Sequence, residues 1–163
     1  MEQNSFLFLQ AAQIGMSHRD MLRWVVKSAC RRNQIPFAPT PEGAISQSRP
    51  KTEVNVLFGG QTSERQVSVM SGTNVWLKLR KSDRFNPKPY LLDPKLNVWR
   101  LPYSMTLNHT VEEIAAMAEA APQSEQRLHR LKTRVLDKLS PGEGEVTEPL
   151  FLPQKMSLDE FID

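Results

Sequence analysis

The sequence has little of three features that mark particular classes of protein: cysteine, charge of one sign and long apolar runs. Cys30 is the only cysteine among 163 residues, which excludes an intramolecular disulfide and a thiolate metal cluster and fits a reducing compartment. No stretch approaches the roughly 18 to 20 apolar residues of a membrane span. The first residues show no basic region and no cleavage pattern of a signal peptide. We therefore expect a cytoplasmic protein that does not associate with a membrane.

The charged residues point away from a nucleic-acid partner and from a metal site. The formal net charge is +3, but basic and acidic residues are interspersed and form no sustained basic face. The three histidines, at positions 18, 109 and 129, have no second histidine or cysteine at helical spacing, so we expect no bound metal. With 39% hydrophobic and 24% charged residues, the chain falls in the globular range, as one domain or two small pieces.

The first part of the chain predicts a helix followed by a linker. Ser17 and Asp20 have the spacing of a capping box, and apolar residues then recur on one face, which predicts a helix from about His18 to Arg32. Residues 34–52 contain four prolines together with glycine and serine, a composition typical of a linker. Residues 1–33 are therefore expected to form a separate helical segment.

From residue 53 onward the pattern alternates between strands and helices. The run "VNVLF" predicts a buried strand that ends at Gly59 and Gly60, and Ser63 with Gln66 predicts a capped helix to about Lys81. The segments "RFNPKPYLLD" and "LNVWRLP" predict two further strands. The second of these is predicted to be an edge strand because Pro102 follows it.

The last third predicts a helical hairpin and then a short strand and helix. Thr110 and Glu113 cap a first helix that Pro122 is expected to end, and a second helix follows. That second helix carries apolar residues at heptad-like spacing: Leu128, Leu131, Val135 and Leu139. They either bury within the chain, which the helix pair favours, or pair with another chain. In the tail, Ser157 and Glu160 mark a helix start. The order of strands and helices from residue 53 onward predicts an α/β layer.

The corner after the first strand is the candidate ligand site. A strand that ends in Gly-Gly and opens into a helix presents free backbone N–H groups and the positive end of a helix dipole, which attract an anion or a carboxylate. Glu64 stands where α/β sheets place ligands, and its carboxylate can accept a hydrogen bond from an ammonium group. The alternative for Glu64 is a solvated carboxylate that only complements the dipole, and Arg65 and Gln66 beside it are expected to be solvated as well.

Other ligand patterns fit this corner poorly. The sequence "GGQTSE" does not match the dinucleotide fingerprint G-x-G-x-x-G, and no Gly-Lys-Ser follows for a nucleotide phosphate. Gly72 lies inside the predicted helix and indicates close packing on the sheet. From pattern alone, a structural turn and a ligand site remain equally open.

The segment "VLFGGQTSERQVSVMSG", residues 56–72, closely resembles the start of the D-alanine–D-alanine ligase family. The resemblance implies an N-terminal, Rossmann-like pre-ATP-grasp domain, here incomplete over residues 53–163. It implies that Glu64 is the catalytic residue that positions the amino group of the first D-alanine, with Gly59, Gly60 and Val67 at the same subsite. Gln66 stands where the family commonly has an acidic residue.

The first segment resembles the other end of the same family. "NSFLFLQAAQIGMSHRDMLRWVVKSA", residues 4–29, looks like the C-terminal end of a ligase, where Ser5 would contact the carboxylate of the second D-alanine. The two resemblances together imply the tail of one ligase module in residues 1–33, a linker in 34–52 and the start of a second module.

The implied function is ATP-dependent formation of D-alanyl-D-alanine for peptidoglycan. In the full-length family, ATP and magnesium are held by ATP-grasp lobes that this sequence lacks, so we expect a fragment that is inactive alone. The alternative is a non-enzymatic module that binds a small ligand or a partner. In an incomplete domain, a strand that normally pairs with the rest of the fold leaves its edge exposed. This predicts self-association, or complementation by a chain that carries the missing lobes.

Overall fold

The computed structural model describes residues 6–37, 50–108, 110–139 and 146–162. The helices and strands, in chain order, are α1 Phe6–Gln13, α2 His18–Arg32, β1 Thr52–Gly59, α3 Arg65–Leu79, β2 Phe85–Leu92, β3 Val98–Arg100, α4 Tyr103–Thr106, α5 Val111–Leu139, β4 Gln154–Met156 and α6 Leu158–Ile162. They form a mixed α/β fold, as the sequence predicts.

The sheet has four strands in the order β1-β2-β3-β4. Strands β1 and β2 are parallel, and β2–β3 and β3–β4 are antiparallel. The prediction that β3 is an edge strand is wrong, because β4 pairs with it through Val98 and Met156. Pro102 lies beyond the end of β3 and so removes no donor from the ladder.

Helix α3 connects the two parallel strands and packs closely on the sheet. Phe58 of β1 and Val69 and Trp76 of α3 belong to the main buried core. A Cβ atom built on Gly72 would lie 2.5 Å from the Cβ atom of Phe58. The prediction that Gly72 allows close packing is therefore confirmed.

A buried carboxylate organises the turn between β2 and β3. Asp93 is 1% exposed. Its Oδ1 accepts from the backbone N–H groups of Lys95 and Asn97 at 2.8 and 2.9 Å. Its Oδ2 accepts from Asn97 Nδ2 at 2.8 Å and from the indole Nε1 of Trp99 at 3.0 Å. Four donors therefore satisfy this carboxylate inside the protein.

Helix α5 is one continuous helix of 29 residues, so the predicted helical hairpin is wrong. Pro122 lacks the N–H that would bond to the carbonyl of Ala118, which favours a break. The helix nevertheless continues because strong helix formers flank the proline, and because Ala118 and Ala121 are buried against the core. Burial of this face outweighs the cost of the proline.

The second half of α5 reaches the helices at the start of the chain. Val135 packs against the apolar cluster of α1 and α2, whereas Leu131 is 43% exposed. Val135, one of the four residues at heptad-like spacing, therefore contacts other residues of the same chain. This agrees with burial within the chain, which the sequence favours over pairing with another chain. None of the described helices is both long and apolar enough to cross a membrane.

Helices α1 and α2 contact the α/β layer. The predicted capping box of α2 is confirmed, since Ser17 N donates to Asp20 Oδ2 at 2.8 Å and Asp20 N donates to Ser17 Oγ at 3.2 Å. The same Asp20 oxygen accepts from Thr147 Oγ1 at 2.6 Å. Residues 38–49 of the predicted linker lie outside the described residues, and the division of the chain into modules stays a prediction.

Local signals in the sequence predict two further helix starts. Glu113 N donates to Thr110 Oγ1 at 3.1 Å at the start of α5. At the start of α6, Glu160 N donates to Ser157 Oγ at 3.1 Å and Ser157 N donates to a Glu160 carboxylate oxygen at 2.6 Å. Both predictions are confirmed.

Candidate functional site

The corner between β1 and α3 is built on two glycines in the left-handed region of backbone space. Gly59 has φ +95° and Gly60 has φ +111°. A Cβ atom on Gly59 would lie 2.5 Å from the carbonyl oxygen of Leu92, whereas no atom of the described residues lies within 4 Å of a Cβ atom on Gly60. The first glycine is therefore required by close contact with β2, and the second has an open face.

The backbone N–H groups of the two glycines are engaged, so the prediction that they are free is wrong. Gly59 N donates to Ser68 Oγ at 3.0 Å, and Gly60 N donates to the carbonyl of Leu92 at 2.8 Å. The reason is that β2 runs parallel to β1 and brings its last carbonyl beside the corner. The N–H groups left for a ligand belong to Gln66 and Val67 in the first turn of α3, since a first helical turn lacks intrahelical acceptors and the Arg65 N–H is bonded to Thr62.

The N-terminus of α3 differs from the predicted capping box. Glu64, with φ −84° and ψ 4°, is the N-cap residue, and its side chain makes no capping hydrogen bond. Arg65 N donates instead to the carbonyl of Thr62 at 3.2 Å. The predicted cap at Ser63 is therefore wrong.

Glu64 and Val67 lie together on the surface at this corner. Glu64 is exposed, and no other described residue bonds to its carboxylate. Val67 is 55% exposed and lies three residues further on, so both side chains occupy one side of the first helical turn. This end of α3 is next to the carboxyl end of β1, where α/β sheets bind ligands. Ser5, the other predicted substrate residue, lies outside the described residues.

Two residues that the sequence predicts to be solvated join α3 to α5. Arg65 Nε and Gln66 Nε2 each donate to one carboxylate oxygen of Glu112, both at 2.6 Å. The Gln66 Oε1 accepts from Val111 N at 3.0 Å. The hydrogen bond from Arg65, with further bonds from the Glu112 backbone and from Gln66, lowers the pKa of Glu112. Both side chains are half-buried and their bonds to Glu112 lie at the surface, so the prediction of solvated side chains holds only in part.

This junction explains the amide at position 66. The Gln66 side chain both donates, to Glu112, and accepts, from the backbone of Val111. A carboxylate could accept but could not donate, and it would face the Glu112 carboxylate. The sequence signal was the glutamine at a position where the family commonly has an acid, but its partner became visible only in the fold.

The described residues do not form a magnesium site. They bring together no group of three or more histidine, cysteine, aspartate or glutamate side chains. Divalent cations of this kind require several oxygen ligands. The described part of the chain therefore shows no cluster of three or more such side chains that could hold a metal ion by itself.

The corner, the parallel β1–α3–β2 unit and the exposed carboxylate at the helix start define an α/β domain of the class that binds ligands at the carboxyl ends of its strands. Residues 53–150 match the family model described as "D-ala D-ala ligase N-terminus". This segment is more than half of the 163 residues, and the chain belongs to the D-alanine–D-alanine ligase family. No curated protein and no solved structure matches the chain.

Proposed function

We propose that residues 53–163 provide the first D-alanine subsite of a D-alanine–D-alanine ligase, which acts with ATP and magnesium in cytoplasmic peptidoglycan synthesis. The observation that supports this most directly is the exposed Glu64 carboxylate at the start of α3, within the segment that matches the family. Its role is to hold the ammonium group of the amino acid.

The chemistry of the corner suits a small zwitterion. An ammonium group forms a short, charge-assisted hydrogen bond to a carboxylate that is not already paired. Val67, exposed on the same helical turn, offers an apolar contact for a methyl group. Gly60 leaves open space beside them, because no atom of the described part of the chain lies within 4 Å of the position that a Cβ atom would take. A larger residue there would occupy that space.

We further propose that this polypeptide does not form the dipeptide on its own. The resemblance requires an Asn-x-x-Pro-Gly-Met segment and a His-Gly-x-x-Gly-Glu-Asp-Gly segment, and the 163 residues contain neither. The resemblance assigns a metal-binding asparagine to the first of these segments, so D-alanine binding by this polypeptide is expected to be weak and uncoupled from ATP.

Binding of D-alanine tests the role of Glu64. In NMR titrations of the full chain, we expect D-alanine to shift the amide signals of Gly60, Glu64 and Val67, and Glu64→Gln to abolish those shifts because the ammonium loses its anionic partner. Glu113→Gln, which also removes an exposed carboxylate from a first helical turn, serves as the matched control. Equal shifts in both variants would contradict the proposed role of Glu64.

The proposal that the polypeptide is inactive alone has its own test. ATP-dependent phosphate release by the purified chain would contradict it.

A second candidate, a partner-binding module, is favoured by the edge of the sheet. Strand β1 is the first in the strand order and has eight residues, with no partner strand on its outer side among the described residues. Since the N–H groups of Thr52 and Gly60 point to β2, alternation directs those of Asn55 and Leu57 outward. We propose that a second copy of the chain, or a chain that carries the missing lobes, pairs with this edge.

Sedimentation of the purified chain tests this pairing. We expect concentration-dependent self-association, and we expect Asn55→Pro to weaken it because proline removes an outward-facing N–H without removing a bond to β2. Asn55→Thr keeps the N–H and is the control. A monodisperse monomer at all concentrations would exclude the edge as a self-association site.

A further inference from the structure

A polar cleft lies at the end of α3 opposite the Gly-Gly corner. It has a volume of about 740 Å³ and is bounded by the start of α2, the end of α3 and the segment Thr147–Glu148. Helix α3 has 15 residues and is therefore roughly 22 Å long, so the cleft is a separate site from Glu64. The cleft size is in the range of small-molecule sites, about 300 to 1,000 Å³.

The side chains that line this cleft are predominantly basic. Five cationic residues from three parts of the chain reach it: Arg19, Arg23, Lys51, Arg80 and Lys81. Three carboxylates accompany them: Asp20, Asp83 and Glu148. Five cations against three carboxylates leave the lining with an excess of positive charge.

Two of the three carboxylates are already engaged. Asp20 accepts from the Ser17 backbone and from Thr147, and Glu148 forms an ion pair with Arg80. No described carboxylate lies within ion-pairing distance, 4.0 Å, of the remaining four cations of the cleft. Their charge is therefore available to an external anion.

One arginine of the cleft is held in place, and another carries a buried donor without a described partner. The guanidinium of Arg80 is held by Glu148 and lies 4.8 and 4.5 Å from the ring centroids of Trp76 and Tyr103. The Nε of Arg23 is buried and has no hydrogen-bond partner among the described residues. A buried donor of this kind is costly unless something accepts from it.

We propose that this cleft binds a compact anion of the phosphate-ester or polyphosphate class. Arginine and lysine together suit such a group, since the guanidinium gives two parallel hydrogen bonds to phosphate oxygens and the ammonium adds a point charge. Arg23 contributes its guanidinium charge from α2, and Lys81 closes the site from the end of α3. This assignment is independent of D-alanine binding at the corner.

Pyrophosphate is the probe for the test. Calorimetric titration of the full chain should show saturable binding, and thermal denaturation should show a higher Tm with pyrophosphate than with sodium chloride of equal ionic strength. Lys81→Gln and Arg23→Gln should each weaken binding at least about tenfold, as expected for a hydrogen bond between charged groups. Lys78→Gln, which removes an exposed cation of the same helix outside the cleft, should leave the affinity unchanged.

Several results would overturn the proposal. Equal affinities of the Lys78 and Lys81 variants, or a Tm that follows ionic strength alone, would mean general screening and no site. Citrate binding as tightly as pyrophosphate would exclude the phosphate class. Lys81 is exposed, so its variant keeps the test decisive if the Arg23 variant does not fold. Glu64→Gln should bind pyrophosphate normally, which separates this test from that of the D-alanine subsite.

Discussion

Replacing Gly59 by alanine is expected to remove a large part of the free energy of unfolding. At φ +95° the new side chain is strained, and its Cβ atom would lie 2.5 Å from the carbonyl oxygen of Leu92, a backbone atom that cannot rotate away. Backbone strain and overpacking each cost about 1 to 3 kcal/mol, and together they should reach on the order of 4 kcal/mol. Urea denaturation followed by circular dichroism measures the loss.

The neighbouring glycine provides the matched control. Gly60 has φ +111°, but its added Cβ atom would meet no described atom within 4 Å. Gly60→Ala should therefore show the strain alone, about 1 to 2 kcal/mol. If the two variants are equally stable, the close approach of β2 to the corner does not contribute, and contact with Leu92 is not the reason for glycine at position 59.

Asp93→Ala should destabilise the protein by a comparable amount. The substitution leaves the four donors of the β2–β3 turn, among them the Trp99 indole, without their acceptor. Each buried donor without a partner costs about 1 to 3 kcal/mol, so partial entry of water still leaves a loss of roughly 3 to 5 kcal/mol. Asp83→Ala, at an exposed aspartate, is the control for the same denaturation measurement.

The same carboxylate makes stability depend on pH. Burial raises the pKa of Asp93, but the hydrogen bonds from Trp99, Asn97 and Lys95 outweigh burial and leave the pKa below the ordinary 3.8. A lowered folded-state pKa stabilises the protein above the unfolded-state pKa, and this stabilisation is lost as pH falls through the folded-state value. The Tm of the parent should therefore fall more steeply below about pH 4 than that of Asp93→Asn. Parallel curves would contradict this role of the ionised carboxylate.

The helix boundaries that the sequence predicts correctly are those set by local chemistry. The capping residues of α2 and α6 lie within three positions of the groups they bond, so their spacing in the sequence is also their spacing in space. The role of Gly72 is equally readable, because a glycine within a strong helical pattern indicates close packing.

Most of the predictions that failed, the cap at Ser63 apart, depended on contacts between distant residues. Pro122 is a strong local signal for a helix end, but burial of the flanking alanines decides that α5 continues. Strand β3 is internal only because β4 returns to it much later in the chain. The N–H of Gly60 is engaged by the carbonyl of Leu92, which belongs to another strand and which the local pattern does not reveal.

The sequence predicts the candidate site only in part. The Gly-Gly corner follows from pattern, but the role assigned to Glu64 comes from the family resemblance, and it stays a proposal. The bonds from Arg65 and Gln66 to Glu112 join residues more than 45 positions apart. Nothing in the local pattern could reveal such a contact.

The late position of β4 has a consequence for how the protein folds. Arg100 of β3 and its partner Gln154 are separated by 54 residues, so the last strand can join the sheet only after a long loop has closed. Loop closure of this length carries an entropic cost before any contact repays it, and it slows folding. The β1–α3–β2 unit can form first, and the chain then passes through a stage in which β3 lacks its outer neighbour.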